Sequence, residues 1–307
     1  MSPTPAHRTR RSAAVGTALA ALLLASACGG SSSTTSSGST PSAASGKDAA
    51  LAAKLPAAVA SAGVVKVGSD VSYAPVEFFD TDGKTVTGID PDLAKAVGDK
   101  LGVRFEFTNA TFDGLIPAVQ SKRFDIVWSA MSDTKDRQAK LDFVDYFNAG
   151  TSILVKKGNP EKINSLDDLC GKTVALQRGT TQEDVATKQQ DACKTAGKSA
   201  INVLPFDKDT DALTQIKSGR AVADVNDFPV AAYNAKTSGG GNDFQVVGEQ
   251  IAAGPYGVGL RKEDTQLRDA VQGALKAIIA DGTYDQVLAK WNVEKGSLKQ
   301  AAINGGS

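Results

Sequence analysis

Short apolar runs alternate with amphipathic stretches along this chain from about residue 63 onward. Val64–Val67 and Val103–Phe107 have the β-branched and aromatic composition of strands. Between them, Leu93, Val97 and Leu101 recur every four residues, which is the spacing of one face of a helix. Strands and helices that alternate in this way build α/β layers, with helices on both faces of a sheet. The sequence therefore predicts an α/β fold.

A polar cluster with one arginine follows the predicted buried strand at Ile126–Trp128. Ser132–Thr134 predicts a helix start, with Arg137 in the first turn. Hydroxyls, helix-start amides and a guanidinium at the end of a strand suit a carboxylate, because arginine matches both of its oxygens. The residues alone also allow a second interpretation, in which Arg137 pairs with Asp133 or Asp142 on a solvated face.

The first 27 residues have the pattern of a signal peptide. Arg8, Arg10 and Arg11 form a basic start, and the apolar stretch Ala13–Ala25 that follows is shorter than a membrane-spanning helix. Small residues then precede Cys28, and Leu24–Cys28 resembles a lipobox. That resemblance implies cleavage before Cys28 and lipidation of its thiol.

Ordinary secretory cleavage at Ala25–Ala27 is the alternative to the lipobox. Both interpretations predict an exported chain. Residues 28–61 are then predicted to be a flexible tether. Residues 29–46 contain only Gly, Ser, Thr, Pro and Ala, which cannot build a core, and an Ala-rich stretch continues to residue 61. Coil scaling gives such a tether a reach on the order of 30 Å.

Composition excludes several classes of function. The only histidine is His7, inside the predicted signal peptide, so the exported chain lacks the imidazole of His-based triads, general bases and metal sites. The chain has 34 basic and 34 acidic side chains, and three of the basic ones lie in the leader, which leaves an excess of three acids. Without a basic patch, nucleic acid is not an expected partner. We expect neither a metal nor a cofactor.

Two cysteines remain in the body of the chain, Cys170 and Cys193. In an exported protein they most simply form one disulfide. It would close a loop of about 23 residues, worth roughly 3 kcal/mol in the chain-entropy model. A redox or metal-binding pair is the rival interpretation, but the motif spacing and further ligands are missing.

Several motifs in order resemble those of the family 3 extracellular solute-binding proteins. They are the T-x-x-R element at Thr134–Arg137 within Phe112–Tyr146, the stretch Gly88–Leu93, and the element Gly179–Glu183. The resemblance spans nearly all of residues 63–295. It implies a bilobed periplasmic-binding-protein type II fold of two α/β lobes joined by a two-strand hinge. Lobe 1 would comprise residues 62–153 and 250–307, and lobe 2 residues 154–249.

The resemblance also implies roles at the backbone end of a bound amino acid. Arg137 would hold the ligand α-carboxylate, with Thr181 as a second donor from the other lobe. Asp227 would bond the α-ammonium, and Asp224 is a competing candidate that aligns too early. Further residues placed at this end of the ligand are Ser132, Gln177 and Gln182.

At the side-chain end, the resemblance implies contacts from Asp70, Tyr73 and the stacking residue Phe112. Asp70 would favour a cationic side chain such as that of lysine, arginine, ornithine or histidine. Trp128, Ser129 and Gln182 would also accommodate glutamine, so the identity of the ligand stays open.

The implied function is that of a lipid-anchored, monomeric receptor that binds a free polar amino acid and delivers it to the permease of an ABC importer. Closure of the two lobes on the ligand would be the signal that the permease reads. Two alternatives stay open. One is an amino-acid sensor without transport, and the other is an enzyme of the same fold, a dehydratase or a transglycosylase, with Glu77 or Glu183 as its acid.

Overall fold

The computed structural model describes residues 46–307. The predicted signal peptide, Cys28 and the first part of the predicted tether lie outside the described residues. Within residues 46–307, no helix is both long enough and apolar enough to cross a membrane.

Eleven strands are described. They are β1 Val64–Ser69, β2 Ser72–Tyr73, β3 Glu77–Phe79, β4 Val86–Thr87, β5 Arg104–Asn109, β6 Ile126–Val127, β7 Asp142–Lys156, β8 Thr173–Gln177, β9 Asn202–Phe206, β10 Ala223–Asp227 and β11 Phe244–Leu260.

Ten α-helices are described. They are α1 Ala49–Ala52, α2 Ala57–Ala62, α3 Ile89–Leu101, α4 Leu115–Gln120, α5 Lys135–Gln138, α6 Thr181–Thr195, α7 Asp209–Ser218, α8 Phe228–Thr237, α9 Thr265–Ala280 and α10 Thr283–Trp291. Short 3-10 helices lie at Phe112–Gly114, Leu166–Leu169, Ser238–Gly241 and Glu294–Gly296.

Eight of the strands form one mixed sheet in the order β5-β1-β6-β11-β7-β10-β8-β9. We call β5, β1 and β6 the first half of the sheet and β10, β8 and β9 the second half. The strands within each half are parallel, and the long antiparallel pair β7 and β11 joins the two halves. The sheet is therefore two parallel units connected by one two-stranded ribbon.

Each half of the sheet is covered by helices on both faces. In the first half, the predicted periodic residues Leu93, Val97 and Leu101 are buried in a core with α9 and α10, and α4 packs on a separate apolar cluster. In the second half, α6 lines one cluster, and α7 and α8 line another. The predicted α/β layers with helices on both faces are confirmed.

The predicted disulfide is also confirmed. Cys170 and Cys193 are bonded, and 23 residues separate them in the sequence. Cys193 lies on α6 and is buried in the apolar cluster beneath it, among residues that include Val174 and Val225. The crosslink therefore ties the segment just before β8 to α6 within the second half.

The end of the predicted tether is folded, which corrects its boundary at residue 61. The Asp48 side chain caps α1 by accepting hydrogen bonds from two backbone N–H groups. Leu55 is buried, and Leu51 and Val59 pack against the core of the first half. Leu51 lies on α1, Val59 on α2 and Leu55 in the turn between them, so two short helices and their connection attach this Ala-rich stretch to the core.

The amino-terminal end of α3 has no side-chain cap, although two aspartates lie in its first turn. Gly88 occupies the N-cap position at φ 135°, and a Cβ there would lie 2.2 Å from the Val76 carbonyl oxygen. Asp90 is instead buried, and its Oδ2 accepts hydrogen bonds from the backbone N–H of Ala130 at 3.0 Å and the hydroxyl of Tyr146 at 2.9 Å. Asp90 thus links α3 to the segment after β6.

Replacing Asp90 with alanine is expected to destabilise the fold. The buried N–H of Ala130 and hydroxyl of Tyr146 would lose their acceptor, at a cost of about 1–3 kcal/mol for each unpaired group. Asp90→Asn retains an amide oxygen in the same place and serves as the matched control. Urea unfolding at neutral pH measures the difference, and equal stability of Asp90→Ala and the parent would contradict the assigned role.

Candidate ligand-binding cleft

Most of the side chains singled out in the sequence surround one small cavity of about 10 Å³, close to the space that a single water molecule needs. Those that line it are Asp70, Tyr73, Phe112, Ser132, Arg137, Gln177, Thr181, Gln182 and Asp227. Glu77, Ala130 and Thr180 complete the lining.

The two halves of the sheet bring these side chains to the same place. Asp70 follows β1, whereas Gln177 and Asp227 end the parallel strands β8 and β10. Ligand sites of open α/β sheets lie outside the carboxyl ends of parallel strands. Here two sets of such ends face one cavity, because the ribbon of β7 and β11 joins the halves.

Arg137 lies on α5, whose N-cap Thr134 accepts a hydrogen bond from the backbone N–H of Arg137. Its guanidinium donates to the carbonyl oxygens of Ser132 at 2.9 Å and Gly179 at 3.0 Å, and lies 5.4 Å from the centre of the Phe112 ring. Burial lowers the pKa of the guanidinium, although the charge remains at neutral pH.

The alternative pairing of Arg137 with a neighbouring acid is not what the structure has. Asp142 forms a salt bridge to Arg268, and the Asp133 carboxylate accepts hydrogen bonds from Gln138 and Gly306. Within residues 46–307, the two direct hydrogen bonds of the Arg137 guanidinium go to neutral carbonyl groups. Its positive charge therefore lacks a direct carboxylate partner in the described part of the chain.

Asp227 ends β10 in the second half of the sheet, is buried and lines the same cavity. Its carboxylate accepts hydrogen bonds from the Gln182 amide at 2.5 Å and the Tyr73 hydroxyl at 2.9 Å. Burial raises the pKa of Asp227 to about 6, although hydrogen bonds from Tyr256 and Tyr73 and the Arg137 charge oppose the rise. The competing candidate, Asp224, bonds the side-chain amide of Asn226 and does not line the cavity.

Two carboxyl groups lie at a further part of the cavity wall. Asp70 accepts hydrogen bonds from the Gln177 amide at 2.8 Å and the Ser72 hydroxyl at 2.5 Å. Glu77 accepts one from the Ser129 hydroxyl at 2.8 Å, and it also lies within hydrogen-bonding reach of the Asp90 carboxyl group, so the two can share a proton. Burial, then the neighbouring Asp90 charge, raise the pKa of Glu77 well above its usual range.

Glu77 entered the sequence interpretation only as the acid of a rival enzyme. It reaches the cavity because β2 and β3 form a hairpin that places Glu77 opposite Tyr73. Tyr73 was itself assigned to the ligand, and the turn at Ala74-Pro75 lies between the two residues. Recognising that short hairpin would have added Glu77 to the expected cavity wall.

Trp128 and Ser129 are not in the cavity wall, which corrects their assignment as ligand contacts. Trp128 is fully buried, with ring centres 5.6 Å from those of both Phe105 and Tyr146. The Ser129 hydroxyl accepts from the backbone N–H of Asp70 at 2.9 Å and so supports that residue from behind. The backbone then turns at Ala130, at φ 44°, and Ala130 lines the cavity in their place.

Direct hydrogen bonds join the two sides of the cleft. Besides the bonds of Tyr73 and Arg137 described above, the Ser132 and Thr181 hydroxyls are 3.3 Å apart, and the Gln177 amide reaches Asp70. Polar groups that a ligand would use are therefore paired with each other across the closed cleft.

Comparison with known proteins places this site in a family. Residues 65–294 match the family model of the bacterial extracellular solute-binding proteins, family 3. The chain is 33% identical over 253 residues to the arginine-binding protein ArgT of Corynebacterium glutamicum, with 82% of each chain covered.

Solved structures show the same resemblance. An ancestral arginine-binding protein bound to arginine has a TM-score of 0.69 and 40% identity, covering 75% of this chain and 98% of its own. An ancestral arginine-binding protein bound to glutamine has a TM-score of 0.68 and 40% identity, covering 76% and 99%. This chain therefore has the bilobed type II periplasmic-binding fold and belongs to the family 3 bacterial extracellular solute-binding proteins.

Proposed function

We propose that this protein is an extracellular receptor that binds a free amino acid with a cationic side chain and delivers it to an ABC importer. The ligand would lie between lobe 1, residues 62–153 and 250–307, and lobe 2, residues 154–249. The observation that carries the proposal is the arrangement of Arg137 against several buried carboxyl groups around one cavity.

The backbone end of an amino acid fits the first part of this arrangement. Arg137 would bind the α-carboxylate through its planar donor fork, with the hydroxyls of Ser132 and Thr181 as further donors. Asp227 would bind the α-ammonium, because a buried ammonium requires a charged partner. The zwitterion would thus bridge groups from both lobes.

The side-chain end of the cavity favours a positive charge. Asp70 and Glu77 both line it, and Asp90 lies directly behind Glu77. A cation there would lower the pKa of Glu77 and so make it a carboxylate partner. Phe112 and Tyr73 supply aromatic surface for the aliphatic part of the ligand. Glutamine would fill the same space with its neutral amide but would leave these carboxyl groups without a counter-charge.

Closure would be coupled to ligand binding through the ribbon. The β7–β11 pairing is irregular between Val247 and Ile251 and between Ile251 and Gly254, where the chain returns from lobe 2 to lobe 1. Strand irregularities of this kind are suited to a hinge. A ligand that bonds both lobes stabilises the closed form by its greater affinity for that form.

Anchoring through a lipid on Cys28, a tether that follows it and a monomeric state complete the proposal. The permease subunits of an ABC importer would be its partners.

A sensor without transport is the alternative, and permease and ATPase genes in the same operon would argue against it. A dehydratase has less support. Of its two candidate acids, Glu183 accepts a hydrogen bond from the backbone N–H of Gly179 and does not line the cavity, which leaves Glu77 alone.

Arg137→Ala is expected to weaken amino-acid binding by roughly 2–5 kcal/mol, the range for truncating one partner of a buried charge pair. Arg137→Lys keeps the charge but loses the planar fork, so its loss should be smaller. Arg104→Ala removes an arginine that is largely exposed on β5 and serves as the control. Isothermal titration calorimetry measures the effect, and an affinity of Arg137→Ala within a factor of two of the parent would exclude the role.

Ligand affinity is expected to fall as the pH drops from 7 to 5. The pKa of Asp227 in the ligand-free protein is about 6, and pairing with an ammonium favours the carboxylate, so binding below that pKa must release a proton. At one pH unit below the pKa, the dissociation constant should be roughly tenfold higher. Asp227→Asn should bind the amino acid weakly, and its dissociation constant should depend less steeply on pH than that of the parent. A parent profile that is flat between pH 7 and 5 would contradict this role of Asp227.

A thermal-shift panel of the twenty amino acids and ornithine tests the ligand class. A true ligand at a hundred times its dissociation constant adds about 2.7 kcal/mol of stability. We expect the cationic amino acids to give the largest shifts. Asp70→Asn and Glu77→Gln should each lower arginine affinity by roughly tenfold relative to glutamine, since charge-assisted hydrogen bonds contribute about 1.5–3 kcal/mol. A parent that prefers glutamine to every cation would reject the proposed ligand class.

A further inference from the structure

The segment of residues 301–307 packs along β7 next to the ligand cleft. The backbone N–H of Asp145 donates to the carbonyl of Ala302, and the N–H of Asn304 donates to the carbonyl of Phe143. Ile303 forms an antiparallel bridge with Val144. This segment therefore adds a short strand-like piece to the edge of β7.

Beyond that piece, the segment contacts the residues that carry Arg137. The backbone N–H of Gly306 donates to Asp133 Oδ2 at 2.8 Å, and the Gly306 carbonyl accepts from Lys135 at 2.8 Å and from Gln138 at 3.1 Å. The Gln138 amide also donates to Asp133 Oδ1 at 2.9 Å. Gly306 is thus hydrogen-bonded to three residues between Ser132 and Leu141.

These contacts matter because α5 is too short to hold its own conformation. It has four residues, and helices of that length are not stable without outside contacts. Asp133 is 2% exposed, and it directly follows Ser132, whose carbonyl accepts from the Arg137 guanidinium. Asp133 has further support from β7 and β11. Its side chain contacts the Asp145 carboxyl group, its backbone N–H donates to the Pro255 carbonyl, and the preceding Ser132 forms an antiparallel bridge with Tyr256.

The close approach requires glycine at position 306. A Cβ on Gly306 would overlap the carbonyl oxygen of Asp133, a backbone atom that can move only with its loop. Any larger residue must displace the segment or the loop. The neighbouring Gly305 donates its backbone N–H to Asp145 at 3.1 Å, which fixes the approach of the segment from the other side.

We propose that residues 301–307 are a positioning element of the ligand site, with Gly306 holding Asp133 and α5 so that Arg137 faces the cavity. This inference rests on the proposed function for its effect on ligand binding. The packing of the segment against the loop is independent of that function. Asp133 and Gly306 act through Arg137 and do not themselves touch the ligand.

Gly306→Ala tests the proposal, and Asp133→Ala tests the same contact from the other side. Gly46→Ala is the matched control, because a Cβ at Gly46 meets no atom within 4 Å. Hydrogen exchange of the full chain without ligand is expected to show faster exchange of the hydrogen-bonded amides of residues 133, 137 and 138 in both variants. Unchanged exchange in this region would show that Gly306 does not hold Asp133 and α5 in place, whatever ligand the protein binds.

Calorimetry then measures the effect on binding with L-arginine and L-argininamide, which lacks the α-carboxylate that Arg137 would hold. Gly306→Ala should weaken L-arginine about tenfold and L-argininamide less than twofold. An equal loss for both ligands, or no loss for L-arginine, would overturn the positioning role. If the parent protein bound no amino acid, only the proposed function would be refuted. The exchange experiment would still test whether residues 301–307 hold Asp133 and α5 in place.

Discussion

Several carboxyl groups are buried near the Arg137 guanidinium, and removing these charged groups from water costs free energy. This desolvation cost determines which hydrogen bonds the cleft must contain. The protein meets that cost with hydrogen bonds that cross the cleft, such as Tyr73 to Asp227 and Gln177 to Asp70. Each of these bonds joins one side to the other. A molecule that enters the cleft must replace these hydrogen bonds with equivalent ones. The atoms that would bind such a molecule are therefore the same atoms that hold the two sides of the cleft together.

The topology makes this sharing possible. The parallel strands of each half end at the cavity, and the β7–β11 ribbon keeps both sets of ends facing each other. Polar residues therefore collect where strands end, while most of the apolar clusters lie on the two faces of each half. Tyr73, Ala130 and Phe112 belong both to apolar clusters and to the cavity wall, so the core of the first half reaches the cleft.

The sequence predicted those features of the fold that depend on local patterns of residues. The helical spacing of Leu93 and Val97, the Cys170–Cys193 pair and the position of Arg137 after a strand were all readable from neighbouring residues. The α/β layers followed from alternation, and the bilobed fold from resemblance to a family. Most of the cavity wall came from that resemblance as well, since no local pattern brings Asp70 and Asp227 together.

What the sequence missed depends on side-chain direction and long-range packing. Trp128 and Ser129 stand in the expected loop, but the turn at Ala130 sends one into the core and the other behind Asp70. Asp90 looks like a helix cap, yet its acceptors serve Ala130 and Tyr146 across the fold. Local sequence cannot specify which distant donor a carboxylate will meet.

The position of the disulfide has a consequence for how this molecule responds to its surroundings. Both sulfurs belong to the second half, and the bond does not cross the ribbon. The bond therefore restrains the second half alone and places no covalent link across the cleft. Reduction would remove a restraint on α6 and leave the hydrogen bonds between the two sides of the cleft in place.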